Sequence, residues 1–235
     1  MSDWKPKRFW TESAVVETEG GFTVELDGRR VKTPAKAALV LPTRGMADEV
    51  AAEWDAQEKV IDPTVMPFTR SANAAIDKVY HQHAEVADML ADYGDSDLLC
   101  YRAVHPQELQ QRQAEHWDPV LDWAAETLSA RLLPVAGVLH QPQSAEALET
   151  LRQRVHGLND FQLAAFHDLV SLSGSLILGF AAAQNRADAE EIWQISRLDE
   201  QWQIDQWGHD DEAHAVAEIK KAAFLHAKRF FDLSI

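Results

Sequence analysis

From Leu169 to Ala183 the chain reads LVSLSGSLILGFAAA, apolar or small at every position. A helix of that composition has no polar side to offer water, so it belongs at the centre of a bundle with other helices around it. Its longest strictly apolar run, Leu176 to Ala183, falls far short of the about 20 residues a membrane span needs. Ser171, Ser173, Gly174, Ser175 and Gly179 are small enough to let neighbouring helices approach closely. The pattern predicts one helix from Asn159 or Asp160 to about Gln184.

The surrounding helices are legible by period. Phe68 to Tyr80 and His83 to Tyr93 are helix candidates, with a short one at Leu98 to Arg102. Pro106 opens a helix to about Leu128, in which Pro119 predicts a kink or a restart capped by Asp118. Pro134 to Pro142 is a loop with an extended piece at Val138 to His140. Ser144 caps a helix ending at Gly157, and a final helix runs from about Asp211 to Phe231.

Ahead of Phe68 the period changes from helical to two. Ala14 to Glu17 is a strand candidate. Phe22, Val24 and Leu26 alternate with Thr23 and Glu25, which marks a half-buried strand. Asp27-Gly28 is a two-residue hairpin signal, with a return strand from Arg29 to Thr33. Ala38 to Leu41 is a further short strand, and Thr43 caps a helix to about Glu58. Prolines at 63 and 67 keep the connector extended. The expected architecture is α+β: a small N-terminal β-rich domain over residues 1–62, then a larger all-helical domain over 63–235.

Charge narrows the function. A net charge of −16 repels nucleic acid and anionic membranes, and suits a partner with a basic surface. The single cysteine, Cys100, has no disulfide partner, and MSDWKPKRFW has no apolar run of leader length. A soluble, cytoplasmic, monomeric protein is expected, binding no nucleic acid and not inserting into a membrane.

Signatures of chemistry are missing from the sequence. There is no Gly-rich phosphate loop and no G-x-S-x-G elbow. His81 and His83 point to different helix sides, and His209 and His214 straddle a helix start. Asp95 and Asp97 form a DxD, read as a helix cap before a metal site. The neighbours of Cys100 suggest burial. The expectation is a protein that is not an enzyme and uses no cofactor.

Eight tryptophans are many for this length. Three lie in one acid-rich stretch, Asp188 to His214, read as a helix capped by Asp188, a stop at Gly208, and a restart capped by Asp210 or Asp211. Trp193, Glu200 and Trp207 recur every seven residues, which predicts nearly one face. Asp199 falls beside the apolar stripe of Ile192, Ile195 and Trp202. One reading is a solvated acidic edge on a core helix, and the other an acidic, aromatic surface that grips a protein. Trp54 ties its helix to the sheet or contacts a partner. Asp199 and Glu200 diverge by about 100° on a helix, which disfavours an acid/base pair on one substrate.

The chain resembles the assembly chaperones of the F-type ATP synthase that bind its isolated α subunit. The resemblance runs from Arg8 to His214 and is carried by Arg8-Phe9-Trp10, Leu26-Asp27-Gly28-Arg29, Lys32-Thr33-Pro34 and Glu53-Trp54-Asp55-Ala56-Gln57. It continues in Asp97, Cys100-Tyr101-Arg102, Trp117-Asp118-Pro119, Trp123, Ser196-Arg197-Leu198, Glu200, Trp207-Gly208 and His214. It implies a β-rich domain before a helical one, no ATP use, and protection of the α subunit until the β subunit displaces the chaperone. It also implies that an acid in the helical region handles the client, here Glu200. Around it the expected client-binding residues are Trp207, Trp193, Asp199, Asp211 and Trp54. Many members carry a Glu-Trp pair where this chain has Asp211-Glu212. Organellar relatives carry a presequence and work in the mitochondrial matrix; this chain resembles a bacterial member. The remaining alternative is a generic acidic scaffold or regulator.

Overall fold

A computed structural model of the chain describes residues 7–235, so the start of the expected leader-free terminus lies outside the described residues. The architecture is α+β, and packing divides the chain into two compact units. The first runs to His83 and includes Asn159–Ala165 and Arg229–Ile235. The second comprises Ala84–Leu158 and Phe166–Lys228.

In the first unit an antiparallel sheet forms from β1 (Ser13–Thr18), β2 (Gly21–Leu26) and β3 (Arg29–Arg30), in that order. Asp27 (φ 48°) and Gly28 (φ 76°) make the expected tight hairpin. The Asp27 carboxylate accepts the N–H groups of Thr11 and Glu12, which holds its pKa below the ordinary value. The return strand is shorter than expected: after Arg30 only single bridges remain, Lys32 to Ala38 and Phe22 to Leu41. Thr23, expected on the outer face, is buried because its hydroxyl donates to the Leu39 carbonyl at 2.7 Å, under the segment that folds back over the sheet.

Helix α1 (Arg44–Asp55), capped by Thr43, packs on β1 and β2 and on α2 (Pro67–Asp77). The EWDAQ block at the end of α1 is a joint. Both Glu53 oxygens are engaged at the start of α2, by Phe68 N (2.6 Å), Thr69 N (2.8 Å) and the Thr69 hydroxyl (2.7 Å). Burial nonetheless pushes the Glu53 pKa up. Trp54 meets Trp10 edge to face at 5.3 Å. Arg8 donates to the Asp55 carbonyl at 2.8 Å and lies over the Trp10 ring. The C-terminal residues complete this unit: Phe230 packs on Phe68 and Phe161, Arg229 pairs with Glu49, and the Thr43 hydroxyl donates to the Leu233 carbonyl.

The second unit contains most of α3 (His83–Ala91), then α4 (Gln107–Trp123), α5 (Ala145–His156), most of α6 (Asp160–Ser173), α7 (Leu176–Ala183), α8 (Ala189–Ser196), α9 (Leu198–Trp207) and most of α10 (Asp211–Asp232). A two-residue parallel ladder joins β4 (Tyr101–Arg102) to β5 (Val135–Ala136), so the extended piece expected at Val138 to His140 forms earlier in the loop. Helix α4 continues through Pro119 and ends in a π-helical turn at Ala124–Leu128; Asp118 pairs with Arg102 at 2.8 Å instead of capping a restart.

The helix expected from Asn159 to Gln184 is two. Gly174 adopts a left-handed conformation (φ 72°), and the Ser175 hydroxyl caps α7 by accepting Leu178 N. Leu176 to Ala182 are all buried, and α7 packs against α4 and α8 as a central helix must. Where α7 meets α6, a Cβ on Gly179 would lie 2.6 Å from Val170 Cγ2 and 3.3 Å from the Phe166 ring. Gly179→Ala is therefore expected to lower stability by about 1–3 kcal/mol through overpacking, despite alanine's better helix propensity. Urea unfolding checks this, and a neutral or stabilising result would show that α6 gives way freely.

Candidate protein-binding surface

The acid-rich stretch folds as α8, α9 and the start of α10, all in the second unit. The single helix expected before Gly208 breaks at Arg197 (φ −102°, ψ 15°). The carbonyl of Ile195 accepts the Trp117 indole N–H from α4 at 3.0 Å, and Arg197 N closes a tighter turn to Gln194 O at 3.1 Å. The break takes Trp193 out of the seven-residue spacing, while Glu200 and Trp207, both on α9, keep it.

Trp193 is core: it is 3% exposed and packs against Phe224, with the Arg197 guanidinium 5.5 Å from its ring centroid. It offers no surface to a partner in this conformation. The same Arg197 pairs with Glu200 at 2.9 Å, and the Glu200 side chain remains half-exposed. Asp199 turns inward and accepts the amide of Gln113 at 2.8 Å, while Gln113, itself buried, accepts Ala103 N. Asp205 receives Arg112 and Gln201, each at 2.8 Å, and the Arg112 bond holds its pKa down. Arg112 also lies over the Trp202 ring. Thus α4 fixes α9 through Arg112 and Gln113. Neither residue has a sequence signal of its own, because each partner lies more than 80 positions away.

What is left facing solvent is acidic and aromatic. Trp207, the last residue of α9, is 79% exposed. Gly208 (φ 92°) ends the helix in a conformation that glycine alone adopts cheaply. Asp210 caps α10 by accepting Ala213 N, and the exposed Asp211 faces His209 at 3.2 Å. Ile204, Val216 and Ile219 are exposed on the same two helices. An exposed indole beside ionised groups suits a protein interface, where a rigid ring anchors and charges orient.

The remaining expected residue, Trp54, lies in the first unit. It is half-buried, tied to Trp10, and lines a groove beside α2. The DxD carboxylates do not converge: Asp97 is wholly buried as a cap, while Asp95 accepts Gln143 N and faces His140. Desolvation, and then the nearby Asp97, push the Cys100 thiol up to about 12, so it is not a nucleophile at neutral pH. Among the described residues no helix is long and apolar enough to cross a membrane.

A family model described as "ATP12 chaperone protein" matches residues 7–125. The chain is 28% identical over 222 residues to the protein atp12, mitochondrial, of Schizosaccharomyces pombe, covering 89% of this chain and 76% of that one. Among solved structures it is similar to Atp12 of Paracoccus denitrificans, at 48% identity and TM-score 0.96, over 99% of this chain and 100% of that one. An aspartate-to-lysine variant of P. denitrificans Atp12p superposes with TM-score 0.97 at the same 48% identity, covering both chains fully.

Proposed function

Because this chain belongs to the ATP12 chaperone family of ATP synthase assembly, we propose that it holds the unassembled α subunit of the F-type ATP synthase head until the β subunit displaces it, without consuming nucleotide. The observation that carries this reading is the exposed Trp207 on α9, a helix that α4 fixes through Gln113, with the half-exposed Glu200 on the same helix and the exposed Asp211 at the start of α10. A free α subunit presents apolar surface that its β partner later covers, which is a liability for aggregation. Trp207 shields part of that surface, and Glu200 and Asp211 answer basic groups around it. Asp199 positions α9 through Gln113, Trp193 anchors α8 from the core, and Trp54 lies in the first unit. Release needs only a modest affinity advantage of the β subunit over the chaperone. The protein acts as a monomer in the cytoplasm and is not an enzyme.

The test is light scattering of purified ATP synthase α subunit, with and without this protein and with no nucleotide. Suppression near an equimolar ratio is the expected result. Trp207→Ala and Glu200→Lys should each weaken protection about tenfold. Both positions are exposed or half-exposed, so circular dichroism and thermal unfolding should stay close to wild type. No suppression by the folded wild-type chain sinks the client assignment. Full protection by the double variant sinks the surface.

A further inference from the structure

The first unit carries a groove of about 500 Å³ beside α2. Four lining residues, Arg70, Asn73, Ala74 and Asp77, fall at helical spacing on one stripe of α2, and a fifth, Lys78, caps its C-terminal end. At about 1.5 Å rise per residue the stripe from Arg70 to Asp77 is about 10 Å long, the span of about three residues of extended chain. The lining also includes Trp54, Ile61 and Pro63, and the exposed Lys32.

The groove's charge runs against the rest of the molecule. In a chain of net charge −16 its lining holds three cations and one acid. That acid is spent: Asp77 accepts the Thr33 hydroxyl at 2.6 Å and Ala35 N at 3.1 Å. Glu53 lies within electrostatic reach of Arg70, but both its oxygens are engaged at the start of α2. Lys32, Arg70 and Lys78 make no ion pair among the described residues. Asn73, in the middle of the stripe, has a carboxamide with no hydrogen-bond partner among the described residues. A free donor and acceptor in a lining that also holds three cations and the apolar Trp54, Ile61 and Pro63 fits an extended peptide with acidic side chains.

We propose that this groove docks an extended acidic segment of the client protein, a second contact remote in sequence from Trp207. Its acids meet Lys32, Arg70 and Lys78, its backbone meets Asn73, and its apolar side chains lie on Trp54, Ile61 and Pro63. This rests on the client reading above, and it makes Trp54 both a packing residue and part of a contact wall. Binding through two separated sites lets a weak surface at each act together.

The experiment uses the full chain and purified ATP synthase α subunit. Lys32→Glu/Lys78→Glu should require about tenfold more chaperone for equal protection and should flatten the salt dependence. Arg44→Glu/Arg131→Glu, which makes the same charge change at exposed positions outside the groove lining, should protect as wild type does. An Asn73→Cys chain labelled with a maleimide benzophenone should cross-link to a client segment rich in Asp or Glu between apolar residues; the buried Cys100 will not compete for the label. If wild type protects and the groove variant matches its control, the groove inference fails while the client reading stands. If wild type itself fails to protect, the client reading fails. A cross-link to a basic segment, or one abolished by excess ATP, overturns the acidic-peptide assignment.

Discussion

Replacing Asp97 by alanine is expected to cost the protein about 3–5 kcal/mol, a large share of the about 5–15 kcal/mol that holds a typical domain together. Asp97 is fully buried in the second unit. Its carboxylate accepts Leu99 N at 3.0 Å, the Ser175 hydroxyl at 2.7 Å and Ile177 N at 3.0 Å. It therefore holds a short 3-10 turn at Leu98–Cys100 against the start of α7, where two helix-end N–H groups need acceptors. Alanine would leave those donors in an apolar interior without water. Urea unfolding at pH 7 measures the loss, and a shift below about 1 kcal/mol would show that water or a local rearrangement replaces the carboxylate.

The same group gives stability a pH dependence with a definite sign. Burial raises the Asp97 pKa from 3.8 to about 6. Between those values the folded chain holds a proton that the unfolded chain has released. The contribution of this group to stability therefore falls as pH rises from about 4 to about 6, and is level above that. Asp97→Asn keeps the size of the side chain, but turns a donor towards Ile177 N and removes the titration. The difference between wild type and Asp97→Asn should thus be larger at pH 4.5 than at pH 7. A difference independent of pH would show that Asp97 does not titrate in this window.

Gly21→Ala is the second large effect, about 2–4 kcal/mol, and it falls on the first unit. Gly21 opens β2 with φ 149°, a conformation close to glycine-only territory. A Cβ there would lie 2.2 Å from the Leu41 carbonyl oxygen. That oxygen is the acceptor for Phe22 N at 2.9 Å, and Leu41 N returns a bond to Phe22 O at 2.7 Å. Backbone cannot swing aside as a side chain can, so the substitution parts the returning segment from the sheet and uncovers Thr23 and Leu39. Gly20→Ala is the matched control: its φ is 85°, but nothing lies within 4 Å of the added carbon, so only backbone strain of about 1–2 kcal/mol is incurred. Equal losses at the two positions would remove the steric account.

Local signals in the sequence proved readable. The Asp27-Gly28 hairpin, the Thr43 cap of α1 and the Asp188 cap of α8 depend on residues a few positions apart, and each forms as expected. The failures share a cause, which is a partner distant along the chain. The break at Arg197 goes with the bond from Trp117 to the Ile195 carbonyl, 78 residues further on. The split between α6 and α7 is held by Asp97, 78 residues before Ser175. Thr23 reads as an outward residue until the segment at Leu39 covers it. At the candidate surface, a seven-residue repeat projected through that break joined a core tryptophan, Trp193, to an exposed one, Trp207. Asp199 could not be separated from Glu200 by spacing, since only Gln113 decides which acid turns inward.

The way the first unit is completed bears on how the protein is made. Its sheet and α1 are translated early, but Phe68 waits for the ring of Phe230 and Thr43 for the carbonyl of Leu233. Nascent chains tend to fold in order of emergence, yet this unit cannot close while the ribosome still covers residues 229–235. Neither unit has its full complement until residue 228 is made, because the second also runs to Lys228, and at that point the first still lacks the strip that residues 229–235 fill. A chain stalled at residue 228 would leave that strip bare, and so would itself be a substrate for other chaperones before it could act as one.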